Sequence, residues 1–477
     1  MLEQAAAIRA GELSPVELTE HYLCRIERLN GAVGAYLTLT ADRALADARD
    51  AERLLAKGRS GAELPPLLGV PVPVKDLTPV AGLPCTMGST VFAGCTAGYD
   101  AAVARLLKEA GTVLLGKTNT PEFGLPAYTE NRLGPPARTP WDLTRGAGGS
   151  SGGAAAAVAA GLAAAAHGSD GGGSIRIPAS CCGVVGLKPT RGRVSPAPEG
   201  DISGLAVDGP IARTVADTAA LLDVLAKPVP GDPFPLPAPS VSFLDHSRRP
   251  PGRLRIARWA QPDPEGVQVD PRVLDAYERT SALLAELGHE VEEIPQPLAP
   301  DDRNAFTPVW AVLSALTPVP PGREAELTPM SRWLREQGRA VSGLGYAEAL
   351  AAMQAVGRKL ATAVAPYDAV LTPTLAQLPA PVGALRNDDD PEADFAAQIA
   401  FTPFTAPWNI AGSPAISLPL EWVRATPGED GAPGPVLPVG MMLAGRHGQE
   451  GPLLSLAAQL EAARPWHHRR PPLDQGS

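Results

Sequence analysis

The sequence predicts an α/β protein, a β-sheet layered with helices. Three observations carry this. From Pro65 onward, short apolar runs bounded by Gly and Pro alternate with helix-period stretches, the texture of strand–helix–strand units. The alternation resumes at Arg253 and continues almost to the last residues. Apolar residues make up 44% of the 477 positions against 19% charged, which supports a large buried core and excludes global disorder.

The elements follow in order. Ser14 is an N-cap, Pro15 occupies the first helical position and Glu17 the third, so "SPVE" reads as a capping box. Leu13 and Leu18 are spaced as a hydrophobic staple, and the helix is expected to reach about Leu29. A second helix is expected over Thr40–Ala56. "LLGVPVPVKDL" and "GTVLLGKTN" read as buried strands, with "DAAVARLLKEAG" between them as a helix stopped by glycine. "RLRIARWA" opens a further unit, followed by the helix "PRVLDAYERTSALLAELG" and the strand "HEVEEI". "YDAVLTP", "SPAISLPL" and "PVGMMLAG" read as later strands and "EGPLLSLAAQLEAA" as the last helix. Lys227–Pro251 and Pro427–Pro438 are proline-rich and expected to be irregular surface loops, because strand signals resume on both sides. Ala299–Ser342 shows no strand pattern and carries Trp310 and Trp333.

Charge and composition exclude several function classes. A net charge of −10 repels phosphate backbones, so no nucleic-acid partner is expected. The five cysteines (Cys24, Cys85, Cys95, Cys181 and Cys182) are odd in number and lack a C-x-x-C spacing. They read as thiols of a reducing, cytoplasmic compartment, Cys181 and Cys182 as core residues. The seven histidines show no metal-binding spacing, and no metal or cofactor is expected. "MLEQAAAIRAGELSP" lacks the pattern of a signal peptide. The apolar run Ala154–Ala166 is shorter than the roughly 20 residues a bilayer requires, so no membrane association is expected.

The stretch "GAGGSSGGAAAAVAAGLAAAAHGSDGGGSIRIPASCCGVVGLKP", from Gly146 to Pro189, admits three readings. A flexible linker would not run into the helix-prone "AAAAVAAGLAAAA". A phosphate cradle would use glycine-rich backbone amides, yet "GGSSGG" and "GSDGGGS" match neither the P-loop nor the dinucleotide spacing. Nucleophilic catalysis suits Ser174 behind three glycines, which can turn several N–H groups toward one point beside a hydroxyl. Serine then requires a base, and no histidine lies in a nucleophile elbow. Lys75, in the apolar "VPVPVKDLT", can serve if burial lowers its pKa. A plain pairing of Lys75 with Asp76 at a strand end is equally compatible with the local sequence.

The same residues carry a resemblance. "GGSSGG" at 148–153, "DGGGSIRIP" at 170–178 and "GLKPT" at 186–190 resemble the amidase signature family. So do "VPVKD", "LLGKTNTPEFG", "TENRLGPPARTPWD", "GPIARTVAD", "PWNIAGSPAISLPL" and "PVGMMLAGRHGQEGPLL". The likeness spans almost the whole chain and is weakest between about Pro228 and Pro366. It implies the amidase signature fold, a mixed central sheet flanked by helices on both sides, as one domain over 1–477. Within it, 1–60 would be N-terminal helices, 65–226 the signature core, 227–366 a variable substrate-side region and 367–477 the completion of the same sheet.

It also implies hydrolysis of a linear or cyclic carboxylic amide by a Ser-Ser-Lys triad. Ser174 would be the nucleophile, Ser150 the proton bridge and Lys75 the base, with Ser150 after a cis peptide. N–H groups around Gly171, Gly172, Gly173 and Ser174 would form the oxyanion hole. The partner is a small-molecule amide, and a homodimer would be ordinary. Gly171 departs from the usual D-T-G-G-S and resembles a subgroup that includes 6-aminohexanoate cyclic-dimer hydrolases. Thr139 replaces a common "RNP" residue. His167 is expected to be structural at the helix end near the site, Ser151 to fix its loop, and Asp170 and Arg176 to form a structural ion pair. Trp310, Trp333, Tyr128 and the "CTMGST" loop are expected to shape specificity. The rival readings are a glutaminase subunit of a tRNA-dependent amidotransferase, an esterase, and a non-catalytic binding protein on the same scaffold.

Overall fold

In the computed structural model, which describes residues 1–58, 64–262, 266–425 and 434–473, the backbone pairs into two sheets. The smaller holds β1 (Tyr36–Leu39), β2 (Val74–Lys75) and β3 (Gly116–Thr118) in the order β1-β3-β2. β1 runs antiparallel and β2 parallel to β3. The larger sheet comprises β4 (Ala165–Asp170), β5 (Val185–Lys188), β6 (Val207–Ala212), β7 (Arg255–Arg258), β8 (Glu290–Glu293), β9 (Ala369–Pro373), β10 (Ala415–Arg424) and β11 (Val436–Gly445). Its order is β4-β6-β5-β10-β11-β9-β7-β8. Pairing is antiparallel from β4 through β9 and parallel among β9, β7 and β8, so the sheet is mixed.

Successive side chains of a strand point to opposite faces. Ile256, Leu371, Ile416, Met441 and Leu443 enter one core, while their neighbours Ala257, Val370, Ala415, Met442 and Ala444 enter another. Helices Pro271–Glu286 and Glu450–Ala463 close the first through Val273, Tyr277, Leu284, Leu454 and Leu460. Helices Phe306–Leu316 and Gly343–Val364 close the second through Val309, Met353 and Leu360. Burial on both faces explains the unbroken apolar runs "AVLTP" and "PVGMMLAG". β8 is one of the two outer strands, and Arg255 and Arg258 of β7 reach across to Glu290, Glu292 and Glu293.

The helix capped by Ser14 runs from Pro15 to Val33, one turn beyond expectation. The Ser14 hydroxyl accepts the N–H groups of Val16 and Glu17 and donates to the Glu52 carboxylate. The second helix, Ala41–Gly58, matches its expected span closely.

Four expectations are corrected. "LLGVPVPVKDL" yields only the two-residue β2 and an isolated Pro71–Val113 bridge, because Pro71 and Pro73 have no N–H to give a ladder. The alanine run is not one helix: it ends after Gly152–Ala159, Gly161 takes φ +68°, and Ala165 enters β4. Lys227–Pro251 is not wholly irregular, since Ser242 caps a short helix at Phe243–Ser247. Of Pro427–Pro438, residues 427–433 lie outside the described residues, and Val436–Pro438 already belong to β11.

Candidate active site

Lys75 stands at the end of β2 with no solvent exposure. Its Nζ donates to the Ser150 Oγ at 2.7 Å, to the Ser169 Oγ at 3.0 Å and to the Ser169 carbonyl at 3.4 Å. Burial pulls the lysine pKa down to about 7, against the opposing pull of the Asp208 and Asp170 carboxylates. The alternative pairing of Lys75 with Asp76 does not form: Asp76 makes an ion pair with Lys117 at 3.0 Å and accepts the Thr86 amide at 3.1 Å.

The "GGSS" segment is held by close backbone contact. Gly148 has φ +72°, and the Gly149–Ser150 peptide is cis. A Cβ on Gly149 would lie 2.7 Å from three backbone atoms of Tyr128, so only glycine fits. Ser151 ties three segments together. Its N–H donates to the Ser174 carbonyl at 3.0 Å, and its hydroxyl donates to the Ser169 carbonyl at 3.1 Å. The expectation that Ser151 fixes the loop matches these contacts.

Asp170 organises the loop that carries Ser174. It accepts the Gly173 N–H at 2.7 Å, the Ile175 N–H at 3.1 Å, two Arg176 nitrogens at 2.9 Å and the Asn409 amide at 2.9 Å. Burial alone would raise its pKa, but the Arg176 guanidinium holds the carboxyl well below the usual carboxylate range. Arg176 also reaches the Thr405 carbonyl at 2.8 Å and the Asn409 side-chain oxygen at 2.6 Å. Both charged groups are fully buried, so the expected structural ion pair is present. Gly173 takes φ +135°, where a Cβ would strike the Thr405 hydroxyl at 2.5 Å. One oxyanion expectation changes here, because the Gly173 N–H is already given to Asp170.

Ser174 and Gly172 line a cavity of about 440 Å³. Phe306, Trp310, Trp333 and Phe395 line it as well, with Trp310 and Phe306 lying against Gly171 and Gly172. Trp310 and Trp333 therefore lie where specificity was expected. Among the described residues, the lining does not include Tyr128 or residues 85–90. Tyr128 instead donates its hydroxyl to Asp394 at 2.8 Å, and the 85–90 loop is folded back onto Asp76 through Thr86 and Met87. His167 sits within β4 rather than at a helix end, its Nε2 2.9 Å from the Asp208 carboxylate. Thr139 donates to the Cys181 carbonyl at 2.8 Å. Cys181 and Cys182 are buried thiols. Among the described residues, no group of three His, Cys, Asp or Glu side chains is arranged to hold a metal, and no helix is long and apolar enough to cross a membrane.

The sequence reading missed Ser169, Asp208, Thr405 and Asn409. A signal existed for Ser169. Reading "AAHGSD" as a strand puts His167 and Ser169 on one face and Asp170 on the other. The alanine run before it masked that alternation. Thr405 and Asn409 reach groups more than 200 residues away, and although Asn409 lies in "PWNIAGSPAISLPL", nothing local marks these partners.

Known proteins resemble the chain along most of its length. The Amidase family model matches residues 17–454. The acylamidase of Rhodococcus erythropolis is 36% identical, over 98% of this chain and 96% of that protein. The 6-aminohexanoate-cyclic-dimer hydrolase of Paenarthrobacter ureafaciens is likewise 36% identical, over 98% and 96%. A solved structure of 6-aminohexanoate cyclic dimer hydrolase with its substrate has a TM-score of 0.87 at 33% identity, over 99% of this chain and 98% of that one. Matched along nearly its whole length by the family model and by these hydrolases, the chain belongs to the Amidase family and is an amide-hydrolysing enzyme.

Proposed function

We propose that the chain hydrolyses a linear or cyclic non-peptide carboxylic amide through an acyl-enzyme on Ser174, with Ser150 as proton bridge and Lys75 as base. The observation that carries this is the 2.7 Å contact between the Lys75 Nζ and the Ser150 Oγ, in a lysine whose burial brings its pKa to about 7. Neutral Lys75 takes the Ser150 hydroxyl proton as Ser150 takes that of Ser174. The Ser174 Oγ bonds to the amide carbonyl carbon, and the carbonyl oxygen gains the negative charge. N–H groups of Gly171, Gly172 and Ser174 stabilise that oxyanion. The proton returns through Ser150 to the leaving nitrogen, the C–N bond breaks and the amine departs. Water attacks the ester, loses its proton along the same path, and releases the acid and Ser174.

In this reading the chain works as one amidase unit over 1–477, in the cytoplasm, on a free small molecule, without nucleic acid or membrane, and a homodimer is its ordinary assembly. Five free thiols suit a reducing compartment, and the net charge of −10 disfavours phosphate polymers.

The test uses a fluorophosphonate on the purified enzyme, with the adduct mapped by mass spectrometry. The expected result is one adduct on Ser174, lost in Ser174→Ala and slowed in Lys75→Ala. An adduct elsewhere, or none, overturns the assignment. Relative kcat/KM on a matched ester and amide separates an amidase from an esterase.

A further inference from the structure

Gly171 is buried under the indole of Trp310. A Cβ built on Gly171 would lie 2.9 Å from Cζ3 and 3.1 Å from Cη2 of that ring. Real carbon contacts do not reach such distances, so any side chain at 171 must displace the indole. The indole has little room to yield. Phe306 stacks on it with centroids 5.4 Å apart and planes at 21°. Leu125, Trp333 and Phe395 pack with it around Ala311, Met330 and Leu334. Its helix is also clamped from behind: a Cβ on Gly338 would lie 2.1 Å from the Ala311 carbonyl oxygen. Phe306 reaches the next glycine too, since a Cβ on Gly172 would meet its Cζ at 3.4 Å. Both rings line the cavity beside Ser174.

We infer that Gly171 and Trp310 are one interlocked specificity element, in which the missing side chain at 171 admits the indole onto the backbone beside the nucleophile. Gly171 is the positioning residue and Trp310 the side chain that meets substrate. Stacked at 21°, the two rings give the cavity an aromatic face beside Ser174. Such a face accommodates a planar or extended apolar group next to the scissile amide and excludes one branched in three dimensions. The substrate class is therefore an amide with a flat or extended apolar flank. This rests on Ser174 being the nucleophile.

The experiment measures kcat and KM on primary amides (acetamide, hexanamide, benzamide and pivalamide, by ammonia release) and on acetanilide and N-tert-butylacetamide, by acetate release. The wild type is expected to prefer the flat or extended member over the tert-butyl member by roughly tenfold or more in at least one series. Trp310→Ala is expected to reduce that selectivity ratio by roughly tenfold, chiefly through KM. Gly171→Thr is expected to lower the same ratio. In the double variant Gly171→Thr/Trp310→Ala the two effects do not multiply, because the indole that the threonine strikes is gone. Should Gly171→Thr fail to fold, Gly171→Ala carries the comparison, since the Cβ alone makes the clash. Effects that multiply within error, or a wild type with no preference in either series, overturn the interlock. Fluorophosphonate labelling of wild-type Ser174 keeps the two ideas apart. Without that label the nucleophile assignment fails, whereas with it multiplying effects sink the interlock alone.

Discussion

The two walls of the cavity are built on opposite principles. The wall that holds Ser174 is made of backbone and charge. Gly171 and Gly173 leave no room for a Cβ, and Asp170 fixes the loop through backbone amides, Arg176 and Asn409. The second wall is made of rings set on helices, Phe306, Trp310, Trp333 and Phe395, the first two resting on the glycines of the first wall. Fixed dipoles that must meet a developing charge tolerate little displacement. An apolar wall needs chiefly shape and tolerates rebuilding better. One wall sets what is done and the other sets to whom.

That contrast can be broken at its strongest point first. Ser174→Ala is expected to lower kcat/KM by about 10⁴-fold or more with the melting temperature near wild type, read by amide hydrolysis and calorimetry. A loss below about tenfold would move the chemistry off this wall. Arg176→Leu should act on the fold instead, since it strands the Asp170 charge in the interior. About 3–5 kcal/mol of stability is expected to go, measured by denaturant unfolding. If the protein keeps its midpoint, the ion pair is not what pins the loop.

The pH profile sharpens the division further. Protonated Lys75 cannot accept a proton, so kcat/KM should fall about tenfold per unit as pH drops below about 7, and level off above it. A second buried lysine, Lys188, is also brought to about 7 by burial and then by Arg176, but its ammonium donates to the Pro189 carbonyl. Lys75→Met separates them, because its residual activity should lose the limb. The smallest effect is expected on the ring wall. Trp333→Ala should raise KM by roughly tenfold or less for a benzamide-type substrate, with kcat nearly unchanged. A collapse of kcat would show that this wall also holds the reacting groups in place.

The same division explains what the sequence made readable. Ser150 and Ser174 sit in short local patterns, because close backbone approach and positive φ demand glycine at fixed offsets, whereas the apolar run around Lys75 admitted two readings. The large sheet was readable for a similar reason: double burial writes strands as apolar runs. Failures came where distant contacts overrode local preference. Alanine favours helix, yet Ala165 and Ala166 are strand residues paired to Ala212 and Ile211. Tyr128 looked like a pocket residue, but its partner Asp394 is 266 residues away and draws it elsewhere. Asn409 reaches Asp170 across 239 residues, and nothing in its neighbourhood records the contact.

The outer strand β8 bears on how copies of the protein can meet. A bare strand edge offers unpaired amides and carbonyls to any second strand, the opening move of fibre growth. Here that rim reads Glu-Val-Glu-Glu, with three carboxylates and one half-buried valine. The carboxylates pair with Arg255 and Arg258 on β7 and with Arg253 just before it. Two such rims brought side by side set like charge against like charge. Zipping of one sheet onto another through this edge is thereby disfavoured.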